Sequence, residues 1–327
     1  MVAITTTPVS PPDTPVSMLS FDKCPVCASK HKSRCIETHA HMHPEPGIFY
    51  FDQCQQCKLV FLNPRVAPDC LHKYYNKYYL PYRGASAWGK YARFVTYSQE
   101  KLDKTRARLA GKYKKLNKAS LILDIGCGQP TFLKACNTLY NCHTMGIDFS
   151  DHGWQDTGHK FDGLNLQIAQ VKDLNAATRP DVITMWHYLE HDYDPILNLS
   201  ILRKLAQPDT ILLIEVPNYD SESRRKYGRY WAGYHTPRHT FLFSPHNIKL
   251  LLQKTGWQAL HINTRGTLDP YNLYWMSEME QKGIDWQKDM TSEFWPYVYG
   301  MIGFRVKNLF TRNRSLGVMT VAARISR

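Results

Sequence analysis

The stretch Leu121–Leu133 reads LILDIGCGQPTFL and decides the fold of the chain. Its apolar start predicts a short buried strand, and its end, from Thr131, can begin a helix. Between the two lie Gly126 and Gly128, which have no Cβ and so let a ligand approach the main chain closely. The stretch therefore predicts a strand, a ligand-binding turn and a helix.

The same rhythm of strand, turn and helix continues along the chain. The predicted strands are Leu121–Ile125, His143–Ile147, Leu164–Ile168, Val182–Met185 and Ile211–Val216. Apolar strands that alternate with helices indicate an α/β fold, in which a parallel sheet is covered by helices on both faces. In such a sheet, ligands bind at the carboxyl ends of the strands.

Asp148 stands at the end of the second strand, where a carboxylate can hold the hydroxyl groups of a ribose. The turn and this acid together fit either a dinucleotide or S-adenosylmethionine. Two details favour the second ligand. The carboxylate of Asp124 would repel a pyrophosphate but suits the cationic amino-acid end of S-adenosylmethionine. In addition, Thr131 stands where a dinucleotide-binding turn has its third glycine.

The motifs D-I-G-C-G at 124–128 and G-I-D at 146–148 resemble motif I and the following acidic motif of class I S-adenosylmethionine-dependent methyltransferases. That family usually has glycine where this chain has Pro130. Proline is tolerated in the first turn of a helix, because the missing N–H would have no partner within the helix. We therefore expect the turn to remain able to bind the cofactor.

Two later blocks extend the resemblance over residues 22–265. The sequence LEH at 189–191, followed by Asp194 and Pro195, resembles the loop after the family's fourth strand. A second block resembles the pattern PN…W…PRH…FS, with its residues at 217–218, 231, 237–239 and 243–244. This block belongs to a subset of the family whose members often carry an N-terminal zinc ribbon.

The resemblance implies a Rossmann-like α/β fold with a seven-stranded, mostly parallel sheet, helices on both faces and a small N-terminal zinc ribbon. Residues 256–265 would form the sixth strand and Met319–Ile325 the seventh, which is antiparallel in this family. The predicted organisation is a disordered arm over 1–20, a zinc ribbon over 21–66, a helical connector over 67–118, a methyltransferase core over 119–265 with an inserted segment at 217–245, and a helical insertion with the terminal strand over 266–327.

Two CxxC turns in the N-terminal region predict a metal site. Its ligands would be Cys24, Cys27, Cys54 and Cys57. Four thiolates on two such turns can surround a zinc ion tetrahedrally, and a site filled by four protein ligands stabilises the fold without taking part in chemistry. The histidines of HAHMH at 39–43 could also bind metal, but we favour an exposed loop or a strand with one solvent-exposed face.

The resemblance also implies which residues contact S-adenosylmethionine. Asp124, Gly126 and Gly128 would line its methionine end, and Asp148 would hold its ribose. Further candidates, near the adenine or in the fourth-strand motif, are Phe149, Gln170, Val171 and Trp186. The competing interpretation of Phe149 is a core residue, because aromatic residues dominate cores.

A methyl acceptor needs a group that removes its proton at the carboxyl ends of the strands. Histidine titrates near neutral pH, so His191 is the first candidate for this base and His239 the second. Glu190 and Tyr188 are further catalytic candidates in the same loop. The pair Glu190 and His191 could instead cap the next helix. Arg238 could pair with a substrate carboxylate or phosphate, or with Glu190.

The composition limits the partners and the compartment. Lysine and arginine outnumber the acids by 41 to 28, for a formal charge of +13, which attracts phosphates, nucleic acid or an anionic membrane. No recognition-helix or RNP-like pattern supports nucleic acid, and no run of about 18 apolar residues predicts a membrane span.

Residues 1–20, rich in Pro, Thr and Ser, predict a disordered arm and not a signal peptide. With nine cysteines, the chain is expected in the reducing cytoplasm.

Two segments that are both aromatic and basic have two interpretations each. Residues 224–231 could be a lid over a phosphorylated or lipidic acceptor, or an exposed loop. Residues 294–304 are followed by Arg305 and Lys307. They could form a helix at a membrane surface, which would make the protein a peripheral one, or a cover packed on the substrate pocket.

The sequence thus predicts an S-adenosylmethionine-dependent methyltransferase with a structural zinc site. Its acceptor would be a small molecule such as a sugar nucleotide, a natural product or a lipid-like intermediate, methylated on carbon or oxygen. One alternative is a non-catalytic zinc-ribbon scaffold or a nucleic-acid-binding module on a degenerate methyltransferase fold, against which Asp124 and Asp148 argue. The other is a nicotinamide oxidoreductase, which Asp124 and the missing third glycine disfavour.

Overall fold

A sheet of seven strands lies at the centre of the computed structural model, which describes residues 16–44, 47–155, 157–310 and 315–326. In chain order, the strands of the described residues are β1 (Met18–Leu19), β2 (Lys32–His39), β3 (Ile48–Cys54), β4 (Val60–Leu62), β5 (Arg65–Val66), β6 (Leu121–Ile125), β7 (His143–Asp148), β8 (Asn165–Ile168), β9 (Val182–Trp186), β10 (Ile211–Pro217), β11 (Phe241–Leu242), β12 (Trp257–Asn263) and β13 (Val318–Ile325).

The α-helices of the same ranges are α1 (Leu80–Arg83), α2 (Ala92–Tyr113), α3 (Thr131–Tyr140), α4 (Pro195–Leu205), α5 (Glu222–Tyr227), α6 (Pro245–Lys254), α7 (Tyr271–Lys282) and α8 (Phe294–Lys307). Short 3₁₀ helices cover Pro68–Tyr74, Gly84–Tyr91, Gly158–Phe161, Val171–Asp173, Leu189–His191, Gly228–Tyr230, Ala232–Tyr234 and Met290–Glu293.

The central sheet has the order β12-β13-β10-β9-β6-β7-β8. Strands β6 to β10 pair in parallel, and β13 runs antiparallel to both of its neighbours. The predicted α/β fold with a seven-stranded, mostly parallel sheet is therefore confirmed. The carboxyl ends of β6, β7 and β9 lie side by side at one edge, where a ligand of this fold would bind.

Helices cover both faces of this sheet, as its continuous apolar strands predicted. On one face, Leu123 of β6 belongs to a buried cluster with Leu199 of α4 and Ile248 of α6. On the other face, Ile122 of the same strand is buried in a cluster with Ala107 of α2. Successive residues of β6 thus point to opposite faces, and neither face meets water.

The predicted zinc ribbon is built into the core and does not form a separate satellite domain. Its sheet has the order β11-β4-β3-β2, so β11, from the inserted segment 217–245, supplies the strand beside β4. Phe61 of β4 belongs to the same buried cluster as Ile248 of α6. The side-chain amide of Asn247 in α6 donates a hydrogen bond to the carbonyl oxygen of Cys57 at 2.5 Å.

The predicted disordered arm over 1–20 is wrong for its last residues. Strand β1 pairs with β5, with Met18 opposite Val66. Residues 1–15 of the predicted arm lie outside the described residues.

The connector at 67–118 and the segment at 266–327 pack against each other through aromatic side chains. Trp88 lies 5.5 Å from Trp275 of α7, and Phe294 of α8 stacks on Tyr91, with 4.1 Å between ring centroids. Within the described ranges, every helix is too short or too polar to cross a membrane.

Candidate active site

The turn after β6 holds its two glycines in conformations that favour this residue. Gly126 has φ +70°, and a Cβ on it would lie 2.5 Å from Cδ2 of Tyr188. Gly128 has φ +48°, and a Cβ on it would meet no atom within 4 Å. Its N–H donates to Oδ2 of Asp148 at 2.9 Å. The glycine turn and the acid at the end of β7 therefore form one unit with open space in front of Gly128, which fits a bound nucleoside.

Pro130 does not disturb this turn. It stands just before α3 as the N-cap residue, with φ −78°, and its carbonyl oxygen accepts the N–H of Lys134 at 3.0 Å. No hydrogen bond is lost, because an N-terminal residue of a helix has no intrahelical acceptor for its N–H.

The loop after β7 packs directly on the glycine turn. A Cβ on Gly153 would collide with the carbonyl oxygen of Gly128 and lie 2.8 Å from the nitrogen of Gln129. Gly153 is a site residue that the sequence analysis missed. A lone glycine in a loop, distant from the turn in sequence, carries no local signal of this contact.

Asp124 is almost fully buried, with 3% of its surface exposed. Its Oδ1 accepts a hydrogen bond from the hydroxyl of Thr184 in β9 at 2.6 Å. Burial raises the pKa of this carboxyl to about 7. A nearby cation would lower that pKa again, so the site suits the cationic end of a ligand.

The three candidates near the predicted adenine site differ in what they can contact. Phe149 is 64% exposed, so the interpretation of it as a core residue is wrong. Gln170 is exposed, and its main-chain N–H donates to Oδ2 of Asp173 at 2.9 Å, at the start of the 3₁₀ helix Val171–Asp173. Val171 is fully buried in the core cluster that contains Leu123, so its side chain is a packing residue.

Trp186 and Tyr188 lie on either side of the end of β9. The ring of Trp186 meets Phe132 edge-on at 5.4 Å and lies under the guanidinium of Arg106 at 4.8 Å. Tyr188 covers Gly126, and burial raises the pKa of its hydroxyl. Tyr188 therefore keeps its proton at physiological pH and forms a wall of the turn.

His191 lies at the centre of a group of aromatic and imidazole rings. Its Nδ1 is 3.1 Å from the hydroxyl of Tyr75, and its ring meets that of His239 edge-on at 4.5 Å. Burial lowers the pKa of His191 to about 4, although its side chain keeps some exposure. The imidazole is neutral at physiological pH and can accept a proton.

His239 is buried and held in one orientation. Its Nδ1 lies 2.8 Å from the carbonyl oxygen of Gly233, which can only accept, so Nδ1 carries the proton. His235 stands 4.9 Å from it, ring to ring, and meets Tyr79 edge-on at 5.6 Å. Burial lowers the pKa of both histidines. His239 therefore supports the ring of His191 from the core side.

Arg238 serves the main chain and not a substrate anion. It is fully buried and donates to the carbonyl oxygens of Tyr74 at 2.7 Å and His41 at 2.6 Å. Its guanidinium lies 4.0 Å from the ring of Tyr79. The interpretations of Arg238 as a partner of a substrate or of Glu190 are not supported by these contacts.

Glu190 is buried and pairs with His187 through Oε1 and Nδ1 at 3.3 Å. The same histidine lies 3.4 Å from Glu215, which also binds Arg106 at 2.8 Å. Burial alone would lower the pKa of His187, but hydrogen bonds to Glu190 and Glu215 raise it to about 9. His187 has φ +56°, a strained value for a non-glycine residue. Glu190 therefore holds a cationic His187 and is not a free base.

A sequence model of a methyltransferase domain matches residues 91–262, more than half of the chain. The chain belongs to this methyltransferase family. Together with the sheet order and the glycine turn, the match makes the methyltransferase a class I enzyme that uses S-adenosylmethionine. No curated protein matches the chain.

Three solved structures are similar to the methyltransferase. The cyclopropane synthase MmaA2 from Mycobacterium tuberculosis is 16% identical, with 67% of this chain and 83% of that chain covered and a TM-score of 0.46. A methyltransferase from Archaeoglobus fulgidus is 19% identical, with 69% and 94% covered and a TM-score of 0.45. Coclaurine N-methyltransferase, bound to N-methylheliamine and S-adenosylhomocysteine, is 13% identical, with 69% and 70% covered and a TM-score of 0.45.

The four predicted zinc ligands of the methyltransferase converge. The sulfur atoms of Cys24 and Cys57 lie 3.6 Å apart and those of Cys27 and Cys54 lie 3.4 Å apart. All four sulfurs lie within 4.8 Å of one another. Four sulfurs that each lie about 2.3 Å from a zinc ion are about 3.8 Å apart, so the donor set fits this metal.

The histidines at 39–43 do not join this cluster, and the expectation of an exposed loop is wrong for His41. His41 is fully buried, and its Nε2 lies 3.3 Å from the hydroxyl of Thr38. His39 pairs with Glu280 of α7 at 3.0 Å. These residues therefore connect the ribbon to α7 through the contact between His39 and Glu280.

The basic and aromatic segment at 224–231 is helical and not a loop, and its role as a lid stays a prediction. Its first half belongs to α5, and Trp231 is fully buried, with its indole N–H donating to Ser223 at 2.9 Å. The guanidinium of Arg224 lies over the ring of Tyr219 at 4.1 Å. These contacts keep the segment packed on the fold.

Tyr75 and Tyr79 are the main site residues of the methyltransferase that the sequence analysis did not identify. Both follow the 3₁₀ helix Pro68–Tyr74 in the connector, and their rings meet edge-on at 5.5 Å. Burial raises the pKa of both hydroxyls. The available signal was the tyrosine-rich sequence LHKYYNKYYLPYR at 71–83, which does not show where the rings point.

A surface cleft of about 630 Å³, lined by Trp257 and Arg324 among others, lies at the other edge of the sheet. Arg324 pairs with Ile211, the first residue of β10. This is the amino end of the parallel strands, opposite the glycine turn, so we assign the cleft no role in methyl transfer.

Proposed function

We propose that this methyltransferase moves the methyl group of S-adenosylmethionine to an oxygen or carbon atom of a small molecule, with His191 as the general base. One observation carries the proposal, namely a line of side chains from the cofactor turn to this histidine. Phe149 follows Asp148 directly, and its ring contacts that of Tyr75 at 5.6 Å. The hydroxyl of Tyr75 then lies 3.1 Å from Nδ1 of His191.

His191 is better suited than His239 to take a proton from the acceptor. Its side chain is partly exposed, whereas His239 is 3% exposed and bound to a main-chain carbonyl through Nδ1. His191 also follows β9, which pairs with β6 in the sheet, so it lies at the edge where the glycine turn lies. A base must be within reach of the acceptor, and this position meets that requirement.

When bound, S-adenosylmethionine supplies an electrophilic methyl group on a sulfonium. The residues of the chain position the reactants around it. Asp148 would hold the ribose, and Asp124 would face the cationic amino-acid end. As the oxygen or carbon of the acceptor attacks, His191 would take the acceptor's proton on Nε2. Its Nδ1–H would donate to the hydroxyl oxygen of Tyr75, which orients the imidazole. Positioning of this kind supplies much of the rate enhancement in a displacement reaction.

The zinc site belongs to the proposal as a structural element. The four thiolates fit a closed zinc site, and the nine cysteines of the chain form no disulfide within the described residues. Thiols in this state are typical of a reducing compartment, so we propose a cytoplasmic setting.

The first test is calorimetric titration of the zinc-loaded protein with S-adenosylhomocysteine. We expect micromolar binding that falls at least about tenfold in Asp148→Ala, because the ribose loses its acceptor. Asp162→Ala removes an exposed acid elsewhere and should bind as the wild type does. If the folded wild type did not bind S-adenosylhomocysteine, the proposed enzymatic function would be wrong and the scaffold alternative would be favoured.

The second test addresses His191 with methyl-labelled cofactor and a panel of sugar nucleotides, phenols and lipid-like acceptors. His191→Gln should lower transfer about 100-fold with unchanged affinity for S-adenosylhomocysteine. The pKa of about 4 implies that activity falls only as the pH approaches 4, because the base works in its neutral form. An ordinary histidine would already lose activity near pH 6.5. Transfer by His191→Gln at the wild-type rate would contradict the assignment.

A further inference from the structure

Helix α8 has one face that packs on the rest of the protein. Phe294 is buried, and the hydroxyl of Tyr297 donates to the side chain of Asn272 in α7 at 2.7 Å. Phe304 lies 5.6 Å from Tyr271 and 4.7 Å from the ring of Tyr274. These contacts pack α8 on α7, and the expected cover on a substrate pocket stays a prediction.

The opposite face of α8 is apolar and open to solvent. Its residues recur every three or four positions and so form one stripe along the helix. With two residues just past the helix end, they are Trp295, Tyr299, Ile302, Val306, Leu309 and Phe310, whose exposed fractions range from 49% to 92%. A surface helix of a soluble domain normally presents charged residues on this side.

The stripe continues onto the start of α2. Phe94 and Tyr97 are exposed by 63% and 67%, and the ring of Phe94 lies 5.9 Å from Phe294. Tyr91, just before α2, accepts the indole N–H of Trp295 at 2.9 Å. We call the six residues of the α8 stripe, with Phe94 and Tyr97, the apolar face. Contiguous patches of this kind are rare on monomers and mark a docking surface.

The charge around the apolar face is mainly positive. From Phe294 to the last residue of the chain, the sequence holds six basic residues and no acid. Arg305 and Lys307 lie on α8 itself and are exposed, and Nε of Arg305 also donates to Oδ2 of Asp269 at 2.8 Å. Helix α2, which carries the other part of the face, has six basic residues and two acids. A second copy of the chain would bring the same positive charge to this surface, whereas an anionic surface complements it.

We propose that the apolar face docks on an anionic membrane surface, with α8 lying in the plane of the interface. Tryptophan and tyrosine favour the boundary between headgroups and acyl chains, aliphatic side chains enter it, and flanking arginine and lysine bind anionic headgroups. With 14 residues, α8 is too short to cross a bilayer. This inference does not depend on the methyl acceptor or on His191.

The test is flotation of the full-length, zinc-loaded protein with lipid vesicles. Vesicles of phosphatidylcholine with about one third phosphatidylglycerol should bind it at least about tenfold more than pure phosphatidylcholine, and added salt should weaken the binding. The double variant Ile302→Gln and Val306→Gln should bind about tenfold less, because two side chains no longer enter the apolar layer. Ile48→Gln with Leu197→Gln, also exposed but off the face, is the matched control and should bind normally.

Two results would overturn the proposal. One is a folded wild type that fails to bind the anionic vesicles, or that binds them as well after the α8 double substitution. The other is light scattering that shows a dimer in the wild type and a monomer in the double variant, because the occupant of the face would then be a second copy. Since the substituted side chains are exposed, unchanged thermal unfolding and unchanged binding of S-adenosylhomocysteine would show that the variant is intact.

Discussion

At the level of single residues, burial shifts the pKa values of two groups of the site in opposite directions. Burial raises the pKa of Asp124 to about 7 and lowers that of His191 to about 4. In both cases the neutral form gains, because a charge loses its hydration when it is buried. The site therefore holds an acid that can ionise beside a cation and an imidazole that is neutral near pH 7.

The acid leads to a prediction about proton release. A cationic ligand end near Asp124 favours the ionised carboxylate and lowers its pKa, so binding should expel a proton wherever the free protein holds one. With a pKa of about 7, roughly half a proton should be released at pH 7, less at pH 8.5 and more at pH 6. Titrations with S-adenosylhomocysteine in two buffers of different ionisation enthalpy measure this number directly.

Asp124→Asn is the control for this release. It keeps the hydrogen bond with Thr184 available but has no proton to lose, so the buffer dependence should disappear. Uptake of a proton by the wild type, or an equal release by the variant, would show that another group titrates on binding.

At the level of elements, the sequence predicted those features of the site that depend on a local sequence motif. The motifs at 124–128 and 146–148 identified the turn and Asp148, because glycine and acid requirements at strand ends recur at fixed spacing. Tyr75 and Gly153 could not be found in the same way. Each residue reaches the site through a contact between segments that are distant in the chain. Neither residue belongs to a motif with a fixed spacing, so a single sequence does not reveal it. The same holds for Val171, whose strand-end position did not show that its side chain turns into the core.

Gly153 provides a prediction about the loop that supports the turn. In Gly153→Ala, the new Cβ would collide with the main chain of Gly128, and a backbone cannot yield as a flexible side chain can. The glycine turn must shift, and we expect the dissociation constant of S-adenosylhomocysteine to rise at least about tenfold. Gly303→Ala in α8 meets no atom within 4 Å and should leave binding unchanged. Equal affinity in both variants would mean that the loop moves freely.

At the level of the whole molecule, the ribbon and the methyltransferase core share one buried cluster. The four-cysteine cluster could be predicted because CxxC spacing is local. The pairing of β4 with β11 could not, because it joins segments that are far apart in the chain. Through His41 and Tyr74, the ribbon and connector also hold Arg238, which packs on Tyr79 beside His235. A change at the metal site should therefore reach the histidines.

This coupling predicts that zinc loss destabilises the entire chain. Cys27→Ser should lower the zinc content well below one per chain and reduce the melting temperature of a single transition, because metal binding is part of the folding free energy. Cys35→Ser changes an exposed cysteine on β2 outside the cluster and should retain zinc and stability. Calorimetric scans and metal analysis of both variants make the comparison. If Cys27→Ser instead showed a separate early transition and a core that melts as in the wild type, the ribbon would be an independent domain. Phe61 of the ribbon and Ile248 of the core lie in the same buried cluster. Unfolding of the ribbon alone would expose Ile248 to water, and we therefore expect one transition.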